Sequence, residues 1–380
     1  MSHTTIGHLR VALIITELGV GGAERSITNL AIGLDRKRFV PTVVSLAPPP
    51  STNHDLFVEQ LAASDVPVEF LGLRSPWQYL RGVRALRHRL TQIAPDVIQS
   101  FLFHANVLTA QAASRINTSH VTGVRVADPS RWRAWLERIA TRRVDKIACV
   151  SQSVAEHCQY FSDFAAEKLC VIRNGIDLTT LQNVKAINLE TLGLRPGRKA
   201  VVFAGRLHPQ KSVPWLLQAA ARFLCRLPDY DLIVAGDGPQ RTSLENQARE
   251  LNIANQVHFV GYRSDLLEVL AASQMVVLAS RWEGMPNVLM EAMALAKPIV
   301  AIRAEGVSEL LHDTDPTQLV HTHDVEAFAE CVMRIAQDPI LAKSIGQQNR
   351  QRIQQHFSLR TTINAYEQLY LSVAKHNASR

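Results

Sequence analysis

Short apolar runs alternating with longer helical segments constrain this chain more than any other feature. In the first half RVALIITEL, VPTVVSL, PDVIQSF, VTGVRV and DKIACVS read as buried strands; in the second KAVVFAGRL, YDLIVAGDG, QVHFVGY, MVVLAS and KPIVAI do the same. Between most of them lie segments such as 24–35 and 213–226, whose apolar residues recur at helical spacing. Strands rich in Val and Ile that alternate with helices build parallel sheets covered on both faces. The series breaks once. After CVIRNGIDLTTLQNV comes a polar stretch with Gly193, Pro196 and Gly197, and KAVVFAGRL then opens a second series. The expected architecture is α/β, with two doubly wound Rossmann-like domains over residues 1–178 and 179–356. A chain of 380 residues has room for both. Ligands of such sheets sit outside the carboxyl ends of the strands, so two such edges facing each other would make an interdomain cleft. The last segment, 357–380, contains LRTTINAYEQLYLSVAKH; it reads as a helix and is expected to pack back on the first domain.

Other features narrow the setting. The five cysteines, Cys149, Cys158, Cys170, Cys225 and Cys331, form no C-x-x-C pair and are odd in number. Scattered reduced thiols fit this better than a disulfide framework or a zinc site. The start, MSHTTIGHLRVALII, lacks a signal-peptide layout, and no run approaches the roughly 18 apolar residues of a spanning helix. A cytoplasmic protein is expected, with a peripheral place at the inner face of the cytoplasmic membrane as an extension. The net charge is +7, and residues 1–178, with 20 Lys/Arg against 15 Asp/Glu, hold most of it. A basic surface of this kind suits an anionic membrane, an acidic substrate or simply water. RSPWQYLRGVRALRHRL (74–90) carries five arginines and no acid, and RWRAWLERIATRRVDK (131–146) adds two tryptophans. Such helices can lie on an anionic bilayer; the alternative is solvated arginines with the tryptophans turned inward.

Three loops at strand ends could carry chemistry. In ELGVGGAERSITNLA a strand ends near Thr16, and Gly19, Gly21 and Gly22 lead into a helix beginning near Ala23. Glycines permit close backbone approach, and a helix start presents free N–H groups to an anion. The spacing is G-x-G-G, so the dinucleotide fingerprint G-x-G-x-x-G is not met. In FAGRLHPQKSVPWLL, Gly205 precedes Arg206 and Lys211 in a strand-to-helix loop, where two cations suit a diphosphate. In RWEGMPNVLME, Pro286 favours the first turn of a helix, so Glu283 lies in the loop before it and Glu291 about one turn inside. Asn287, Val288 and Leu289 are then expected to offer unpaired N–H groups. Two carboxylates flank this cradle, and carboxylates accept hydrogen bonds from sugar and ribose hydroxyls.

Taken together these residues resemble the family 4 glycosyltransferases, which have the GT-B fold, retain anomeric configuration and use nucleotide sugars. The resemblance covers most of the chain. It rests on G-G-A-E-R at 21–25, N-G-I-D at 174–177, G-R-L followed by Lys at 205–211, G-D-G-P at 236–239, and E-G-M-P-N-V-L-M-E at 283–291, the family's E-x7-E motif. It implies that Arg206 and Lys211 hold the donor diphosphate, that Glu283 faces the donor sugar, and that Glu291 accepts from the ribose. It further implies that Gly21 and Gly22 let backbone approach the phosphate, that Gly261, Tyr262 and Arg263 lie near the nucleobase, and that Glu309, in the next loop, shares the same edge. His104, after VIQSF, is the candidate for the cleft histidine many members carry, with Arg125 and Asp128 as weaker candidates. Lys211-Ser212 stands where Lys-Gly is commoner, which should affect loop shape more than charge.

The implied reaction moves a sugar from a nucleotide diphosphate donor, with UDP favoured and GDP-mannose open, to a glycan or lipid-linked acceptor in cell-surface polysaccharide or lipopolysaccharide synthesis. No cofactor, metal or nucleic-acid partner is expected. The triplets Asp229-Tyr230-Asp231 and Asp313-Thr314-Asp315 read as solvated loop charges rather than metal sites. Two rivals use the same architecture, a UDP-N-acetylglucosamine 2-epimerase-like isomerase and a non-catalytic nucleotide-sugar binder.

Overall fold

A computed structural model describes residues 8–51, 54–312, 314–321 and 323–378. Asp313 lies outside them; of that acidic triplet Asp315 is described, and it accepts from the Thr317 N–H at 2.8 Å. The chain forms two compact units, one of Met1–Gly175 with Leu359–Arg380, the other of Ile176–Ser358.

The first unit runs β1 (Leu9–Ile15), α1 (Gly22–Gly33), β2 (Phe39–Ser45), α2 (Leu56–Ala63), β3 (Val68–Phe70), α3 (Tyr79–Ile93), β4 (Val97–Phe101), α4 (Phe103–Ala113), β5 (Ser119–Val124), α5 (Arg131–Thr141), β6 (Lys146–Cys149), α6 (Gln152–Tyr160) and β7 (Leu169–Val171). Its strands lie in the order β3-β2-β1-β4-β5-β6-β7, all parallel. The alternate residues of β1 divide between the sheet's two faces. Val11, Leu13 and Ile15 join Ile27, Leu30 and Phe39 on one side, and Ala12 and Ile14 join Leu86, Leu90 and Leu108 on the other. That double burial is why β1 reads as an unbroken apolar run.

The second unit runs β8 (Lys199–Ala204), α7 (Val213–Leu224), β9 (Tyr230–Ala235), α8 (Arg241–Glu250), β10 (Val257–Gly261), α9 (Leu266–Ala272), β11 (Met275–Leu278), α10 (Asn287–Ala294), β12 (Ile299–Ile302), α11 (Glu305–Leu311), β13 (Leu319–Val320), α12 (Val325–Gln337) and α13 (Pro339–His356). Its sheet order is β10-β9-β8-β11-β12-β13. Asp338 caps α13 by accepting from the N–H groups of Ile340 and Leu341, and Pro339 occupies the first helical position, where its missing donor costs nothing.

The final helix, α14 (Leu359–Ala378), belongs to the first unit, as the sequence suggested. Tyr366, Tyr370 and Val373 enter the core beside β1. Tyr370 packs edge-on to Phe39, with ring centroids 6.3 Å apart. Glu367, buried on the same helix, accepts from the Asp35 N–H at 2.9 Å and pairs with Arg38 at 3.5 Å. Burying a side chain the size of Tyr370 stabilises by about 2–3 kcal/mol, so α14 is a structural part of this sheet and not a tail.

Candidate active site

In both sheets the strand order reverses once, between β1 and β4 in the first and between β8 and β11 in the second. Loops leaving the carboxyl ends on either side of such a reversal diverge and leave a crevice. Gly21, Gly22, His104, Gly205, Arg206, Lys211 and Glu283 follow the four strands at these reversals, whereas Arg125 and Asp128 follow β5, Gly261 ends β10 with Tyr262 and Arg263 after it, and Glu309 follows β12.

In the second unit, the loop after β8 and the loop after β11 are fastened to each other. The Arg281 N–H donates to Gln210 O at 2.9 Å, and the Gln210 amide donates to Trp282 O at 3.0 Å. Between them the Lys211 ammonium donates to the Glu283 carboxylate at 2.5 Å. Glu283 is only 5% exposed. Taking both charges out of water is costly, and their short contact offsets part of that cost. The Glu283 backbone N–H donates in turn to the Glu305 carboxylate at 3.1 Å. At Gly306 an added Cβ would overlap the Gly284 carbonyl, so α11 approaches this loop as closely as only glycine allows. Gly205 lies against the Lys211 stem, where a Cβ would stand 3.5 Å from Cε. Arg206 is exposed, and no hydrogen bond or ion pair holds its guanidinium among the described residues. The buried Ser280 hydroxyl, at the end of β11, likewise has no partner among them.

Several expectations need correction here. Pro286 is the N-cap residue of α10 and not its first turn; the helix begins at Asn287. Leu289 does not offer a free N–H, because it donates to Pro286 O at 3.2 Å. The first turn closes on Pro286, which also accepts from the Met290 N–H at 3.3 Å, and Asn287 has a partner of its own. Glu291 is in α10, one turn on, and 3% exposed. Glu309 lies within α11 rather than in a loop; the residue of that segment that reaches the site is Glu305. Ser212, where the sequence departs from Lys-Gly, holds φ 52° and ψ 36° at the entrance to α7. That is the left-handed region glycine enters freely and serine does not.

At the neighbouring strand ends, Gly261 adopts φ 71°, and the Tyr262 N–H donates to Asp237 at 2.7 Å. Arg263 is paired with Asp265 at 2.5 Å. Asp231 is no solvated charge; it is buried and takes Arg198 Nε at 3.1 Å and His258 Nε2 at 3.1 Å. Asp229 pairs with Lys199 at the surface, at 2.9 Å. The Asp229–Asp231 triplet is therefore structural.

In the first unit, Gly21 is the N-cap of α1, and Gly22 is the first helical residue. The Glu24 carboxyl folds back over Gly21, where a Cβ would collide with it. Nothing in the G-G-A-E-R spacing by itself marks Glu24 for this place. Leu102, just before α4, holds φ 75° and ψ 152°, a region reached without strain almost only by glycine. This strained turn sets His104 in the first turn of α4, exposed. Although the residue as a whole is exposed, partial desolvation of the ring and then the Arg133 charge lower its pKa from the ordinary imidazole value, partly countered by Glu17, which favours the neutral ring.

Arg125 is a structural centre. It donates to Ser26 Oγ at 2.7 Å and to Asn174 Oδ1, and its guanidinium lies over the Phe101 ring at 5.4 Å. Burial lowers its pKa, while Tyr366 and Glu24 act the other way. It thereby ties α1, the β5 and β7 ends and α14 together. Asp128 caps its own loop through the Ser130 N–H at 2.9 Å and pairs with Arg133 at 2.7 Å.

Comparison with known proteins fits this pair of crevices. The model of glycosyl transferases group 1 matches residues 184–352, and that of Glycosyltransferase Family 4 matches residues 20–180. The chain belongs to the family 4 glycosyltransferases. Among its relatives, an Escherichia coli UDP-Gal:alpha-D-GlcNAc-diphosphoundecaprenol alpha-1,3-galactosyltransferase is 26% identical over 246 residues, covering 63% of this chain and 63% of that protein. The lipopolysaccharide core biosynthesis glycosyltransferase LpsE of Rhizobium meliloti is 27% identical over 289 residues, 76% of this chain and 79% of its own. Among solved structures, Anabaena HepE in complex with UDP and glucose superposes with a TM-score of 0.83 at 23% identity, covering 96% of this chain and all of that one. That likeness shows the GT-B fold.

Proposed function

We propose that this glycosyltransferase moves a sugar from a nucleotide diphosphate donor, with UDP favoured over GDP, to a hydroxyl of a glycan or lipid-linked acceptor with retention of configuration. The observation that carries the reading is the buried Lys211–Glu283 pair at the β8/β11 reversal, with the unengaged Arg206 on the same loop. The relatives named for UDP-galactose transfer and lipopolysaccharide core synthesis, and the Anabaena structure holding UDP and glucose, support the donor class and the setting.

In this reading Arg206 and Lys211 hold the diphosphate. Glu283, fixed through its N–H by Glu305, positions the sugar, and Glu291 serves the ribose. Gly261 and Tyr262 line the base side. His104, neutral, donates to or accepts from the sugar. The acceptor oxygen bonds to the anomeric carbon as the bond to the departing phosphate oxygen breaks, and that phosphate takes the acceptor's proton. Two cations and the α10 N–H stabilise the leaving charge, so no divalent ion is needed. The enzyme would act at the inner face of a membrane, where lipid-linked acceptors are presented.

Thermal unfolding against a panel of UDP- and GDP-sugars tests the donor. A rise with one UDP-sugar, matched by UDP alone and persisting in EDTA, is expected. Stabilisation only by GDP-sugars overturns the base, and stabilisation only with added metal overturns the metal independence. Proton NMR of the first product formed decides the anomeric outcome.

A further inference from the structure

The outward side of α5 is built in a way its packing does not require. Trp132 and Trp135 are 58% and 60% exposed, so these tryptophans do not turn to the core. Arg131, Trp135, Arg138, Ile139 and Arg142 are exposed at three- and four-residue intervals and share one side of the helix. Ala134 and Thr141, on the adjoining side, are buried. Beside α5, the end of α6 adds Tyr160, 78% exposed, and Phe161. A groove of about 350 Å³ runs between Arg131, Trp135, Arg138, Tyr160, Phe161 and Asp163. Trp77, 97% exposed, precedes α3. In a parallel sheet the starts of α3 and α5 lie at the same carboxyl edge.

The acids named at this face are paired with arginines, and the arginines outnumber them. Arg138 is paired with Asp163 and Arg133 with Asp128. Arg131, Arg142 and Arg143 have no ion pair among the described residues and are exposed. A protein partner would favour a contiguous apolar centre poor in charge. Here single aromatic rings stand between arginines, the mixture that places rings at the headgroup boundary and guanidinium groups on lipid phosphate.

We infer that the α5–α6 face is the seat of the enzyme on an anionic bilayer, with Trp132, Trp135 and Tyr160 entering the headgroup layer and Arg131, Arg142 and Arg143 binding lipid phosphates. This rests on the membrane setting proposed above but not on the transfer chemistry.

The test is co-sedimentation with vesicles of phosphatidylcholine alone or with 30% phosphatidylglycerol, at low and high salt. Wild type should pellet only with the anionic vesicles and be released by salt. Arg131→Gln with Arg142→Gln should weaken binding about 30-fold, at about 1 kcal/mol per arginine. Trp135→Ala with Tyr160→Ala should lose most of the bound fraction, while unfolding temperatures stay at the wild-type value. Equal pelleting of the variants, equal binding to neutral vesicles, or no binding at low salt overturns the inference. So does a solution dimer that Trp135→Ala dissolves, which would make a second copy the occupant. Turnover of a water-soluble acceptor without vesicles should be unchanged in these variants, and Glu283→Gln should lose turnover yet bind vesicles normally. Failure of the transfer reading is thereby separated from failure of this one.

Discussion

The two strand-order reversals share a topology and differ in how they are finished. At β8/β11 the two loops are bonded to each other through backbone, amide and a buried ion pair, and α11 is pressed onto them through Gly306. At β1/β4 the loops carry glycines with open space around Gly19, an exposed histidine and a strained Leu102. The first arrangement holds charge in a fixed geometry before a ligand arrives, which is what stabilising a departing diphosphate requires. The second leaves its loops open around Gly19 and His104. Topology locates the crevice, and the side chains closing it decide its chemistry.

Breaking the tight crevice should give the largest effect. Lys211→Ala should lower kcat for transfer by about 10²–10³-fold, with a further loss of stability because Glu283 is left buried and unpaired. A variant with unchanged kcat would remove Lys211 from the chemistry. Next is a contrast between glycines. Gly306→Ala must displace the Gly284 backbone and should cost about 1–3 kcal/mol, while Gly19→Ala, with nothing within 4 Å, should stay within about 0.5 kcal/mol. Equal melting temperatures for the two would deny the difference between the crevices.

A third test reads pH dependence in the first unit. Burial holds the His120 pKa at about 4. The Glu137 carboxyl, half-buried overall but turned inward to Asn106, is raised to about 7, chiefly by burial. Below about pH 6.5 the unfolded histidine takes a proton that folded His120 refuses, so this group costs stability as pH falls toward 4. Folded Glu137 keeps a proton that the unfolded chain releases above about 4.5, so that group costs stability as pH rises toward 7. Between about 4.5 and 6.5 the two slopes cancel. Glu137→Gln should therefore expose an acid loss of about 1.4 kcal/mol per pH unit in urea titrations; a slope matching wild type would reject the pairing. A modest gain is expected at Ser212→Gly, which relieves a left-handed serine and should add about 1 kcal/mol. Unchanged or lower stability would argue that the serine hydroxyl compensates.

Much of this was legible in the chain. Runs such as LRVALII and AVVFA announced strands covered on both faces, and the end of the first series placed a boundary at 178, where the structure divides after Gly175. RWEGMPNVLME placed Glu283 before a helix and Glu291 within it. The errors fell where neighbours in space outvote neighbours in sequence. Glu309 looked like the next loop's carboxylate, but only the packing of α11 shows that Glu305 reaches Glu283. Arg263 and Arg125 looked available, yet each is claimed by partners, Asp265 two residues away and Asn174 forty-nine residues away.

The sequence by itself determined the alternation, the two sheets and the strand-end loops that carry polar residues, because burial on two faces and glycine's backbone freedom are local properties that a short window records. Tertiary structure alone decided which carboxylate holds which N–H, that Lys211 meets Glu283 across seventy-two positions, and that Trp132 and Trp135 face water. Those outcomes depend on which distant segments are packed alongside, and no local pattern encodes that.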